Sequence, residues 1–374
     1  MLVTGFTPDP IRTASMSSNE TRRVTIAIIG VGNIGPRHAR SVHDCPDATI
    51  ACFLDPSPAA IKIAQEYDVP LFHSISTMLE AVTHPDAAIV CTPNTTHSEL
   101  GIRLLDAGVH ILVEKPISAT LDAGQRLVDA SKASNRQLLV GHHRRFNPYV
   151  IASKQALVDD AIGRVIAVSG LWTACKPDDY FAPPAEWRTK AGGGPILINL
   201  IHEIDILQYL LGPISRVHAE QTISQRGHDA EEGAAILLRF ASGVVGTFIL
   251  TDATPSSHSF ESGTGENPII PKAGTDFYRL FGTKGTLSVG DMLLSVCEDE
   301  TARSWQQKLN QSTLEVGEQV PFDEQIQHFV KVVRGEAEPV CSGEDGLSAL
   351  RICDAIKQAI ASGQAVDIAT ESRT

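Results

Sequence analysis

Residues 24–55 read VTIAIIGVGNIGPRHARSVHDCPDATIACFLD. The short β-branched run VTIAII stops at Gly30, a stretch with helical spacing follows, and ATIACFLD is a second apolar run that ends in Asp55. The order is strand, helix, strand. Gly30, Gly32 and Gly35 stand in GxGxxG register at the turn from strand to helix, with Asn33 and Ile34 between the last two. In that setting the first glycine permits a tight turn, the second lets backbone approach a pyrophosphate, and the third lets helix and strand pack closely. The helix amino terminus then directs unpaired N–H groups at the anion. Asp55, twenty residues beyond Gly35, would accept the adenosine ribose hydroxyls and repel a 2′-phosphate, and Pro56, Ser57 and Pro58 bring no cation to hold one. The spacing predicts NAD in preference to NADP, bound by Gly30, Gly32, Asn33, Ile34, Gly35 and Asp55. The plain alternative is a glycine turn that only joins two elements.

Outward from this unit the alternation continues. Apolar runs at Ala87–Pro93, His110–Pro116 and Gln137–His143 are separated by stretches of helical spacing around Ser98–Ala107 and Leu121–Ala133. Strands alternating with helices predict a doubly wound parallel sheet of Rossmann type over residues 24–147. After Pro148 the runs lengthen (Val165–Cys175, Ala234–Phe240, Gly243–Thr251) and alternate, as antiparallel strands with one solvated face do. Residues 148–374 are therefore expected to form an α+β domain with a large, mostly antiparallel sheet, serving substrate and oligomerisation. One helix, INLIHEIDILQYLLG, interrupts that sheet, and two closing helices near Asp323–Arg334 and Gly343–Ala361 can pack back on either domain. Residues 254–275, rich in Gly, Pro and Ser, read as a long loop covering the substrate side or a subunit contact.

Composition narrows the function. The chain has 374 residues and a net charge of −13, which repels nucleic acid and anionic lipid. Residues 1–23 contain no apolar core of a signal peptide and read as a flexible tail. No run reaches the length of a membrane span. Seven scattered cysteines without CxxC spacing argue against a disulfide framework or a zinc knuckle and for a reducing, cytoplasmic setting.

Further motifs sit at the carboxyl ends of predicted strands, where ligands bind in such sheets. Thr92-Pro93-Asn94, with His97 shortly after, reads as a turn whose polar groups meet the nicotinamide or its ribose. Glu114-Lys115-Pro116 closes another strand. Gly141-His142-His143-Arg144-Arg145 leaves the last one; adjacent histidines on a strand point to opposite sides, so no metal is expected. Arg144 could fork onto a carboxylate or vicinal hydroxyls of the substrate, whereas Arg145 could pair with a core carboxylate. In the second half, Gly192-Gly193-Gly194-Pro195 precedes the helix bearing Asn199, His202 and Asp205, whose steps of three suggest one shared face. Trp172, Lys176 and Tyr180 read as an apolar floor with polar contacts, or as packing.

The glycine fingerprint, the central EKP and the GGG…H…D helix, in this order, resemble the Gfo/Idh/MocA oxidoreductases, of the inositol dehydrogenase kind, over roughly Val24–Ile368. The chain is more loosely similar to oxidoreductases of fungal quinate-utilisation clusters. The resemblance implies that Lys115 contacts the substrate hydroxyl and nicotinamide ribose, that the peptide bond after it is cis, and that Glu114 belongs to the cofactor site. It assigns His202 to the catalytic or substrate-orienting histidine. One position departs: many polyol dehydrogenases of the family carry an aspartate where this chain has Ile198, which leaves Lys115 as sole acid/base with His202 as its hydrogen-bonding partner. The expected activity is NAD-dependent hydride transfer at a secondary alcohol or ketone of a sugar, cyclitol or cyclic hydroxy acid, with Arg144, Trp172, Lys176, Tyr180, Asn199 and His202 at the substrate. The expected assembly is a homodimer or homotetramer. Two other readings remain open: NAD-dependent glycoside cleavage without net redox change, and a non-catalytic dinucleotide sensor.

Overall fold

The structure, a computed structural model, describes residues 22–81, 84–299 and 303–369. The tail expected over residues 1–23 lies outside the described residues except for Arg22 and Arg23. Six strands form the first sheet: β1 (Val24–Ile29), β2 (Ala48–Leu54), β3 (Leu71–Phe72), β4 (Ala87–Val90), β5 (His110–Val113) and β6 (Leu138–Val140). All pair in parallel, in the order β3-β2-β1-β4-β5-β6. The order reverses between β1 and β4, which opens a crevice at the strands' carboxyl ends. Ile26, Ile28, Ile89 and Leu112 are fully buried because helices cover both faces.

The second sheet contains β7 (Val165–Thr173), β8 (Ile214–Gln221), β9 (Gly233–Phe240), β10 (Val245–Thr251), β11 (Tyr278–Gly282), β12 (Gly285–Val289), β13 (Leu293–Cys297), β14 (Leu309–Thr313) and β15 (Val366–Asp367). Their order is β14-β13-β12-β11-β7-β10-β9-β8-β15, and only β7 and β10 pair in parallel. The short strands β11–β14 have no clear announcement in the sequence. One face of this sheet packs on the helix Ile201–Leu211 and the final helix. The other leaves Leu237 54%, Ile166 50% and Val245 44% exposed.

The closing helices divide their loyalties. Pro321–Val333 buries Ile326, Phe329 and Val330 in the core of the first domain. Gly343–Ser362, started by a Ser342/Asp345 capping box, gives Leu347 and Leu350 to the first domain and Ile352, Cys353 and Ile356 to the second. The segment after Thr254 is more ordered than its composition suggests: it contains a short helix, Phe260–Thr264, whose five residues are all buried. Among the described residues no helix is long and apolar enough to cross a membrane.

Candidate active site

At the crevice, each glycine of the fingerprint meets a distinct constraint. Gly30 has φ +89°, and a Cβ on Gly35 would stand 2.1 Å from the Gly30 carbonyl oxygen. Above Gly32 no heavy atom lies within 4 Å of where a Cβ would be, leaving room for a ligand to reach the backbone. Ile34 precedes the helix Gly35–Asp44 and no side chain caps it, so the first N–H groups have no side-chain acceptor. Asp55 accepts hydrogen bonds from the Val31 and Ser57 N–H groups, each at 2.8 Å, which aim the carboxylate and still leave lone pairs on both oxygens. Asn33 is exposed beside this loop. These residues fit a dinucleotide: a bare helix end for the pyrophosphate and an anchored acid for the ribose.

Two expected cofactor contacts turn inward instead. His97 is buried, with Nδ1 2.9 Å from the Pro116 carbonyl oxygen and Nε2 2.8 Å from that of Thr92, so it braces two strand-end loops against each other. Glu114 is also buried: Oε1 meets His38 Nε2 at 2.7 Å and Oε2 accepts the Lys115 backbone N–H at 3.1 Å. Neither side chain has a free face for a cofactor. Thr92 and Pro93 are half-buried or exposed at the mouth, where Thr96 Oγ1 lies 2.7 Å from Thr92 Oγ1, and Asn94 is exposed.

Lys115 follows at the end of β5, and its bond to Pro116 is cis. Its Nζ donates one hydrogen bond, 3.3 Å, to the carbonyl of Ile198, and among the described residues no carboxylate pairs with it. Burial pushes the amine's pKa down, with Arg144 and Lys176 acting the same way against Glu114 and Glu261. His202 sits in the same charge cluster. Burial, then the positive charge of Lys115, hold its pKa well below the usual value, so its imidazole is neutral; Nδ1 is buried without a partner. The rings of His142 and His143 both lie edge-on to His202, each 5.7 Å away. They do not diverge as strand neighbours would, because β6 ends at Val140 and residues His143–Phe146 turn in a 3₁₀ helix.

The helix expected from Ile198 begins irregularly. Residues Ile196–Leu200 form a π turn before the α-helix Ile201–Leu211, a widening often found at functional sites. Asn199, His202 and Asp205 consequently serve different partners. Asn199 Oδ1 accepts from Lys176 Nζ at 2.8 Å, next to the carbonyl that Lys115 meets. Asp205 binds Arg145 through both oxygens, at 2.7 and 2.9 Å, in the buried junction of the domains. Lys176 also reaches Asp252 at 3.2 Å and lies over the rings of Tyr180 and Trp172.

The fork of Arg144 is already occupied. Nη1 donates to Glu203 at 2.6 Å, Nε to Glu266 at 3.0 Å and Nη2 to Glu261, while the guanidinium covers the Phe260 ring at 4.1 Å. The expectation that it grips substrate gives way to an ionic knot holding the 254–275 segment. Trp172 is likewise core, its Nε1 donating to Glu261 at 2.9 Å. Burial alone would raise the Glu266 carboxyl, yet Arg144 and His143 hold it at about 2; Glu203, more deeply enclosed among acids, is pushed up to about 8. The sequence reading passed over Glu203, Glu261, Glu266 and His38. Only Glu203 carries a local signal, a charged residue inside an apolar helix.

The Gfo/Idh/MocA profile described as "Oxidoreductase family, NAD-binding Rossmann fold" matches residues 24–142, and its companion, "Oxidoreductase family, C-terminal alpha/beta domain", matches 154–368. Inositol 2-dehydrogenase of Rhizobium meliloti (strain 1021) is 28% identical over 353 residues, 92% of this chain and 99% of that protein. The 1,5-anhydro-D-fructose reductase of Ensifer adhaerens is 28% identical over 310 residues, 79% of this chain and 84% of its own. Among solved structures, the WlbA dehydrogenase from Bordetella pertussis in complex with NADH and UDP-GlcNAcA superimposes with a TM-score of 0.75 at 21% identity, covering 94% of this chain and 99% of that one.

Proposed function

This chain belongs to the Gfo/Idh/MocA oxidoreductase family, and from that premise we propose that it is an NAD-dependent dehydrogenase or reductase of cyclic polyols, with Lys115 as its acid/base. The NAD-binding domain and the named dehydrogenases and reductases among its relatives make it an oxidoreductase acting on CH–OH groups. When bound, NAD supplies the nicotinamide that exchanges a hydride with the carbinol carbon. Lys115 takes the hydroxyl proton during oxidation and returns it during reduction. Neutral His202 holds the same oxygen through a ring nitrogen. Lys176, Tyr180 and Asn199, next to Ile198, orient the remaining hydroxyls. Arg144 and Trp172 act behind them, as packing.

The observation that carries this reading is a half-buried lysine that, among the described residues, has no ion-pair partner and donates only to the Ile198 carbonyl, with its charge acting on His202. A carbonyl can orient an ammonium but cannot take its proton. Screening NADH absorbance against myo-inositol, aldoses, 1,5-anhydrohexitols and cyclic hydroxy acids tests it. With the best substrate, Lys115→Ala should lower kcat about 10²–10⁴-fold and leave NAD affinity, read by protein fluorescence, within a few-fold. Wild-type turnover by that variant would refute the assignment.

We also infer a homo-oligomer built on the open face of the second sheet, where Ile166, Leu237, Val245 and Ile249 stand exposed on neighbouring strands. Light scattering should give a multiple of the 40.1 kDa chain mass. Leu237→Glu should reduce it to a monomer.

A further inference from the structure

We propose that Glu114 and His38 are a positioning pair for Lys115: Glu114 supplies the negative charge that sets the lysine's proton affinity, and His38 acts only by holding Glu114 in place. This rests on the reading of Lys115 as the acid/base but adds two residues to it, one of which the family resemblance assigned to the cofactor site.

The geometry is closed on every side. Glu114 is the last residue before Lys115, and its two oxygens have different duties. Oε2 accepts the Lys115 backbone N–H at 3.1 Å, fixing the start of the turn, while Oε1 takes the His38 Nε2–H at 2.7 Å. Ionised Glu114 can only accept, so His38 must carry its proton on Nε2. The other nitrogen, Nδ1, is buried without a partner, and the ring meets the edge of Phe322. Gly141 completes the enclosure: a Cβ there would lie 2.9 Å from Glu114 Oε1, so the carboxylate fits only because glycine follows the next strand.

The charge balance gives this enclosure a purpose. Burial would neutralise Glu114, yet the His38 hydrogen bond, with the charges of His38, His143 and Lys115, holds its carboxyl at about 2. The charged groups acting on Lys115 are Glu114 and Glu261 on one side and Arg144 and Lys176 on the other, with His142, His143 and His202 nearby. Glu114 is the strongest electrostatic influence opposing the lysine's burial. Glu261, the second, is already bonded to Arg144 and Trp172. His38 stands one turn into the helix that closes the dinucleotide loop, so cofactor helix and lysine are tied through one short hydrogen bond.

The test reads Lys115 directly. In cofactor-free protein labelled with ¹³Cε-lysine, the Lys115 resonance is assigned by its loss in Lys115→Met and titrated with pH. Glu114→Gln keeps the shape and removes the charge. Its Lys115 pKa should fall by about one unit, a tenfold loss of proton affinity. His38→Leu should lower it by less, and in the Glu114→Gln background should lower it no further, because a residue acting through Glu114 has nothing left to act on. An unmoved pKa in Glu114→Gln, or effects of the two substitutions that add, would overturn the proposal. Circular dichroism identifies any variant that fails to fold, and Glu114→Asp, which restores the charge at shorter reach, should then recover part of the wild-type pKa; no recovery counts against the pair. The readout needs neither substrate nor turnover, so a polyol screen without NADH formation would remove the proposed activity and leave this result standing.

Discussion

The glycine loop and the Arg144 knot are both polar constructions beside the same cleft, yet they are assembled in opposite ways. In the loop, Gly30, Gly35, Val31 and Asp55 all lie within one strand–helix–strand unit, and the approach of Gly35 to Gly30 and the hydrogen bond from Val31 to Asp55 span at most 24 residues. In the knot, Arg144 meets Glu203, Glu261 and Glu266 at separations of 59, 117 and 122 residues. The loop depends on backbone shape, where side chains are excluded. The knot depends on charges whose desolvation is tolerable only when every partner is present. A local construction should lose function when altered, and a long-range one should lose stability.

The widest effect should come from the knot. Arg144→Met leaves three carboxyl groups buried without their cation and should cost about 3–5 kcal/mol, seen as a lower urea midpoint. A loss below about 1 kcal/mol would mean that the 254–275 segment is held by packing alone. Next comes Gly35→Ala. Its Cβ forces the helix away from the Gly30 carbonyl; overpacking should cost about 1–3 kcal/mol, but NAD binding, measured by fluorescence titration, should fall far more than the melting temperature suggests. If stability and binding fell together, the contrast between the two regions would break.

Ile198→Asp sharpens the comparison at the point where the domains meet. A carboxylate beside the lysine favours its charged form and raises its pKa. Oxidation needs the uncharged amine, so the rising limb of kcat/KM against pH should move up by about one unit. A limb that stays in place would show that Lys115 does not titrate in the reaction. Smallest of all is Arg126→Ala, which removes an exposed pair with Asp122 one helical turn away; its denaturation midpoint should match wild type. The contrast with Arg144 isolates burial as the cause.

The parallel sheet, the NAD fingerprint and Asp55 were legible because each is written in a short window by strand pattern, glycine register and spacing. The roles proposed for Lys115 and His202 rest on the resemblance, since nothing around EKP or HEID distinguishes a catalytic residue from a packed one. The expectations that failed share one feature. Arg144, Trp172, Glu114 and His97 are polar or aromatic residues near a cleft, and residue type alone cannot say which way such a side chain faces. Partners distant in sequence made that choice: three glutamates for Arg144, Glu261 for Trp172, His38 for Glu114 and two carbonyls for His97.

The amino-acid order by itself determined where the chain turns, which runs become strands, and that a dinucleotide is accommodated, because these follow from backbone freedom, apolar periodicity and glycine spacing. Tertiary structure alone decided which charges are spent on one another. Lys115 is a half-buried cation and Arg144 a buried one, and what separates them is the company each meets after folding: among the described residues, three glutamates for the arginine, and for the lysine amine a single peptide carbonyl that can orient its proton without taking it.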